Sequence, residues 1–163
     1  MEISNEELLA LSTKIEREAS VFYQELAKHI LDPEVKDFVV LMAQEEAKHE
    51  IQFKKLLEEK GSKPYGWEKN TRLRNLLDTH YQTDIFPRLE EIFEQLPKFR
   101  GIQKALAFAE EAERVSAEFY GLMQEACENI ESKTLLLLLE KAEQEHLERI
   151  QSLKERYTIK PMG

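Results

Sequence analysis

The sequence predicts an all-α protein: a four-helix bundle of two antiparallel helical hairpins joined by a long, partly helical crossover. Three observations predict it. Charged residues make up 34% and apolar residues 42% of 163 positions, with only five glycines and five prolines, the profile of long amphipathic helices. Apolar residues recur at steps of three and four rather than two, which is the period of one helix face. Four residues also recur at one fixed spacing: Glu16, Tyr23, Glu46 and His49 return as Glu113, Tyr120, Glu143 and His146, each 97 positions later. The two halves of the chain therefore repeat one design.

Each element follows from local signals. Ser4 and Glu7 form a capping-box pattern, and Leu8, Leu11, Ile15, Ala19, Phe22, Leu26 and Ile30 continue one stripe, so the first helix reads as a single long rod. Asp32 as N-cap and Pro33 at the first helical position open a second helix through Phe38, Met42, Phe53 and Leu57 to Gly61. The short connection makes these two helices antiparallel neighbours. The third is expected from about Gly101, beyond the breaking Pro97, through Ile102, Leu106, Ala109, Phe119 and Leu122. The fourth follows Asn129, which stands 97 positions after Asp32 in the same capping role, and frays before Pro161.

Between the hairpins the crossover carries two apolar groups: Trp67, Leu73, Leu76, Leu77 and Tyr81, expected to form an amphipathic turn or short helix, and Ile85, Phe86, Leu89, Ile92, Phe93 and Leu96, which form a clearer one. A helix of about 26 residues is roughly 40 Å long, so a crossover joining opposite ends of the bundle must be long. The expectation is one domain over 1–163, with hairpins at 4–61 and 101–157 and the crossover at 62–100. A chain of this size buries roughly 70% of its unfolded surface.

A net charge of −9 with no basic stripe excludes nucleic acid and anionic membrane as partners. The apolar run Leu135 to Leu139 is far too short to cross a bilayer and is expected in the core or a subunit contact. Cys127 is the only cysteine, which excludes an intrachain disulfide and thiolate metal sites; it reads as a half-buried helix residue. Met1 to Ala10 lacks the pattern of a signal peptide, and a cytoplasmic location is expected.

The repeated residues carry the chemistry. At 100° per residue, Glu46 and His49 lie about 60° apart on one face and one turn apart along the axis, as do Glu143 and His146. Both pairs are in line with apolar stripes and point inward, as do Glu16 and Glu113. Four inward carboxylates repel one another and pay desolvation, and cations remove both penalties. Oxygen-rich ligation with one nitrogen per ion points to two iron ions, or manganese, or a mixed pair, rather than copper or structural zinc. Glu46 and Glu143 are expected to bridge, with Glu16 and Glu113 terminal and His49 and His146 each giving one ion a nitrogen. Tyr23 and Tyr120 stand two turns from their glutamates, placed to hydrogen-bond a ligand carboxylate on another helix. Glu110 reads as an exposed carboxylate, and His29 and His80, with no glutamate three residues earlier, as solvent or helix-end residues.

Glu16-x-x-Ala-x-x-Phe22-Tyr23, Glu113-x-x-Ser-x-x-Phe119-Tyr120, and the Glu46-x-x-His49 and Glu143-x-x-His146 pairs resemble the rubrerythrin-like branch of the ferritin-like di-iron carboxylate proteins. Ile85-Phe86-Pro87 in the crossover is similar to its small members. The resemblance covers essentially the whole chain and implies a ferritin-like bundle, dimers or larger homo-oligomers, and a diferrous centre that reacts with hydrogen peroxide or dioxygen. Two departures stand out. Ser116 occupies the place where rubrerythrins carry an additional carboxylate, and no cysteine-rich rubredoxin segment is present. Electrons are therefore expected from an external donor.

Three functions follow from these residues. The first is a di-iron oxidoreductase of peroxidase or ferroxidase type, since six protein ligands on two ions leave coordination positions open. The second is iron oxidation for storage or detoxification. The third is a non-catalytic metal-binding interaction module.

Overall fold

The computed structural model describes residues 2–59, 64–81 and 86–157, and among these no strand occurs. Three expected features, the helix end at Gly61, Ile85 of the crossover and the fraying at Pro161, lie outside the described residues. The first rod consists of α1 (Asn5–Ser12), a π-helical segment (Thr13–Arg17) and α2 (Glu18–Ala27). It opens on the expected box: Ser4 Oγ accepts from the Glu7 amide at 3.2 Å while Glu7 Oε2 accepts from the Ser4 amide at 3.0 Å. The rod is not one uninterrupted α-helix, and it stops at Ala27, so Ile30 is buried beyond its end.

The second long helix, α3 (Pro33–Glu59), is capped by Asp32 Oδ1, which accepts from the amides of Glu34 and Val35. In the crossover, α4 (Thr71–Tyr81) packs on α1 and α6, and α5 (Leu89–Gln95) packs on α2 and α6. The crossover thus runs along the side of the bundle formed by the first rod and α6 (Lys98–Ala126). This third helix begins at Lys98, with Pro97 at its N-cap, three residues before the expected start. Gly101 lies inside it because α5 crosses there: a Cβ at Gly101 would meet the Phe93 ring at 2.6 Å. The fourth, α7 (Ile130–Arg156), is capped by Asn129 Oδ1 accepting from the Ser132 amide at 2.9 Å.

The two hairpins, first rod with α3 and α6 with α7, join through α2 against α6 and α3 against α7. Apolar packing is divided into two clusters. One, toward one end of the bundle, includes Leu8, Leu11, Phe53, Trp67, Phe119 and Leu136; the other includes Phe22, Leu26, Val39, Met42, Leu106 and Ile150. Full burial of such side chains stabilises by about 1.5–3 kcal/mol each. Along every long helix the repeated glutamates fall where one cluster gives way to the other, so the polar centre occupies the middle of the bundle.

The crossover is anchored at the first cluster. Tyr65 stacks on Trp67, donates its phenol to the Leu56 and Leu57 carbonyls, and accepts from the Glu128 amide at 2.8 Å through its backbone carbonyl. Between them Gly66 has φ +116°, and a Cβ there would lie 2.4 Å from the Ala126 carbonyl oxygen. Only glycine fits both the backbone angle and the close approach. No described helix is long and apolar enough to cross a membrane. Of the leucine run, Leu136 and Leu139 are buried, whereas Leu137 and Leu138 are 45% and 61% exposed.

Candidate metal centre

Glu16 comes from the π-helical segment, Glu46 and His49 from α3, Glu113 from α6, and Glu143 and His146 from α7. All six are buried. Their donor atoms form two groups, each lying within 4.8 Å of one another: Glu16, Glu46, His49 and Glu143 in one, Glu46, Glu113, Glu143 and His146 in the other. Glu46 and Glu143 belong to both. The structure therefore brings together every one of the six residues singled out by spacing, inside one chain, with two carboxylates shared between two donor sets.

Contacts at the centre are reciprocal, as the repeat demands. Tyr23 donates its phenol to Glu113 Oε1 at 2.7 Å, and Tyr120 donates to Glu16 Oε1 at 2.6 Å. His49 Nδ1 lies 2.7 Å from Glu143 Oε1, and His146 Nδ1 lies 2.7 Å from Glu46 Oε1. The imidazoles run nearly parallel, 6.0 Å apart between ring centres. The tyrosine bonds cross from the first rod to α6 and back, tying the two hairpins together at the level of the carboxylates.

What remains unsatisfied is as informative as what is bonded. Glu16 Oε2, Glu46 Oε1, Glu113 Oε2 and Glu143 Oε2, one oxygen from each glutamate, are buried without a hydrogen-bond partner, and so is His146 Nδ1. The short His146 to Glu46 contact lacks the alignment of a hydrogen bond. A buried polar atom without a partner costs about 1–3 kcal/mol, so five of them converging in one place are costly as protein alone. Multivalent cations in the two donor groups would satisfy the lone pairs on these atoms, and the donor set fits oxygen-preferring metal ions.

Electrostatics point the same way. Burial raises the Glu16 carboxyl and lifts Glu46 well above the carboxylate range, with the facing carboxylates adding to the rise at Glu46. Burial and the Glu143 charge push Glu113 up to about 8, while burial and Glu16 push Glu143 up to about 7. Burial lowers His49. It also opposes charge on His146, but Glu113, Glu143 and Glu45 outweigh it and push this imidazole up to about 10. Without a cation, protons must take over the neutralisation of the cluster.

Other sequence candidates are placed outside the cluster. Glu110 is half-buried and ion-paired with Arg114 and Lys154, each at 3.4 Å, rather than a free exposed carboxylate. His29 stacks on Phe93, and neither His29 nor His80 joins the donor groups. Cys127 is buried just past the end of α6, its thiol donating to the Asn129 carbonyl. Ser116 is buried one turn after Glu113 with its hydroxyl unbonded. Two features escaped the sequence reading. The π-helical turn that carries Glu16 has no signature in Thr-Lys-Ile-Glu-Arg. Glu45 reaches His146 Nε2 at 2.5 Å, and its position beside the inward Glu46 was the available signal.

Comparison with known proteins agrees with this geometry. The family model described as Rubrerythrin matches residues 7–154. A hypothetical protein from Pyrococcus furiosus superimposes with a TM-score of 0.69 at 26% identity, covering 96% of this chain and 91% of its own. A candidate ferritin-like diiron-carboxylate protein from Thermotoga maritima superimposes with a TM-score of 0.66 at 20% identity, covering 90% and 91% of the two chains, and shares the fold. No curated protein matches.

Proposed function

The chain belongs to the rubrerythrin family, and from that premise we propose that it is a di-iron carboxylate oxidoreductase that reduces hydrogen peroxide or dioxygen with electrons from an external donor. Glu46 and Glu143 would serve both ions, Glu16 and His49 would complete one donor group, and Glu113 and His146 the other. The observation that carries this reading is the row of unpartnered atoms: one oxygen on each of the four glutamates, with Glu46 and Glu143 common to both donor groups. Two divalent ions would balance the charge of four carboxylates. When bound, the metal pair supplies the two electrons that peroxide reduction requires.

The protein's own part is to hold this cluster ready. The phenols of Tyr23 and Tyr120 each occupy one oxygen of a terminal carboxylate, which leaves the other oxygen directed to the centre. Such outer partners fix ligand orientation before metal arrives. The apolar clusters on either side keep bulk water from the carboxylates, which strengthens every charge interaction within. Six protein donors shared by two ions leave positions for a small oxidant.

The test is an anaerobic Fe(II) titration of metal-free protein, followed by hydrogen peroxide or oxygen while the visible spectrum is recorded. Two ions per chain and a ferric absorption band that disappears on re-reduction and returns with fresh oxidant are expected. Continuous oxidation of many ions per chain would replace this reading with iron storage, and uptake of two ions with no response to either oxidant would leave a structural metal site.

A further inference from the structure

The repeat of 97 positions requires every contact at the centre to occur twice. The tyrosine bonds and the inner histidine contacts obey. One contact does not. Glu45 Oε2 lies 2.5 Å from His146 Nε2, but the residue 97 positions after Glu45 is Ala142, which has no polar side-chain atom. Glu45 and Ala142 are both half-buried on equivalent turns of α3 and α7, so they are structural counterparts. Among the described residues no hydrogen bond reaches His49 Nε2. The backbone breaks the repeat at the same half: Glu16 sits in the π-helical turn Thr13–Arg17, whereas its counterpart Glu113 sits in the uninterrupted α6.

We infer that Glu45 is a positioning residue that makes the two metal positions unequal: the one built on His146 and Glu113 fills first and holds its ion more tightly than the one built on His49 and Glu16. The inference rests on the six-ligand assignment above. A carboxylate accepting from Nε2–H fixes the tautomer in which the Nδ1 lone pair faces the centre, holds the ring plane, and makes that nitrogen a better donor. Removing such a partner typically costs ~10–100-fold in metal affinity. Glu46 and Glu143 serve both positions and cancel from the comparison. What remains is Glu45 on one side against Ala142 on the other, and a regular helix on one side against a π turn, a rare arrangement found mostly at functional sites. The Glu45 contact favours the His146 position, and the π turn marks the Glu16 side as structurally different from it.

The Glu45 side chain is 40% exposed, so its removal leaves no buried cavity. The experiment is an anaerobic calorimetric titration of the full metal-free chain with Fe(II), comparing wild type, Glu45→Ala and Ala142→Glu, with far-ultraviolet circular dichroism as the control of fold. Wild type is expected to bind two ions in two steps separated by ~10–100-fold. Glu45→Ala weakens the first step by that factor and merges the two, whereas Ala142→Glu strengthens the second step and leaves the first. Two equal steps in wild type, or variants with wild-type isotherms, would overturn the inference while sparing the ligand assignment. Fewer than two ions in wild type would overturn the assignment and this inference with it.

Discussion

Tyr23 on α2 and Glu113 on α6 are joined by a buried hydrogen bond of 2.7 Å, and the repeat returns it from Tyr120 to Glu16 at 2.6 Å. These bonds do two things at once. They close the first rod against α6, where only a few residues meet, and they hold two carboxylates with one oxygen turned to the centre.

Tyr23→Phe and Tyr120→Phe therefore keep the fold but loosen the site. A hydrogen bond to a charged group contributes about 1.5–3 kcal/mol, and loss of an outer partner lowers metal affinity by ~10-fold or more. Either variant is expected to melt below wild type with iron bound and to bind Fe(II) more weakly. Unchanged isotherms for both would show that the phenols serve packing alone.

Glutamates common to both donor groups should separate by stoichiometry from those confined to one. Glu46→Gln or Glu143→Gln removes a donor shared by both groups, and is expected to leave less than one tightly held ion per chain. Glu16→Gln or Glu113→Gln touches one group and leaves about one. Metal analysis after gel filtration reads the difference; equal losses in all four variants would contradict the bridging roles.

The metal-free protein has a defined pH dependence. Glu113 and Glu143 keep protons up to about 8 and about 7 against an ordinary 4.5, and His146 up to about 10 against 6.5. The folded state then binds more protons than the unfolded chain, so stability present at low pH is lost as pH rises through these values. His49, lowered by burial, acts in the opposite sense below its ordinary 6.5, one group against several. The Tm of metal-free protein is expected to fall by at least about 4 °C between pH 5.5 and pH 8. Metal replaces those protons, so the gap between loaded and metal-free Tm widens over the same interval. A metal-free Tm that rises from pH 5.5 to pH 8 would contradict the buried, carboxylate-rich picture.

Gly66→Ala tests the fold apart from the site. The left-handed φ of +116° and the 2.4 Å approach to the Ala126 carbonyl make a cost of more than about 1 kcal/mol. Chemical denaturation should show that loss with two ions still bound per chain; wild-type stability would contradict the anchoring role of the Tyr65 to Trp67 turn.

Much of this centre was legible before any coordinates. Glu46 and His49, three residues apart on a stripe with Met42 and Phe53, can only share a face, and the same holds for Glu143 and His146. Helix periodicity converts such spacing directly into direction. The helix starts at Asn5, Pro33 and Ile130 were also legible, because each depends on a local side-chain cap. The π turn at Thr13–Arg17 was not: its residues suit an ordinary α-helix. Glu45 escaped for a different reason. Its helical phase points it partly to solvent, and only the arrival of α7 brings His146 Nε2 within reach. The first rod ends at Ala27, three residues before Ile30, because apolar periodicity continues through a turn where the helix does not, and α6 starts at Lys98, three residues before Gly101, because Pro97 caps this helix rather than holding it off.

The measurement that bears most directly on the central claim is a crystal structure of protein loaded anaerobically with Fe(II), with anomalous scattering recorded at the iron edge. Two peaks about 3.5–4 Å apart, one against Glu16 and His49, the other against Glu113 and His146, with Glu46 and Glu143 touching both, are expected. A single peak, or iron bound only at surface carboxylates, would contradict the account.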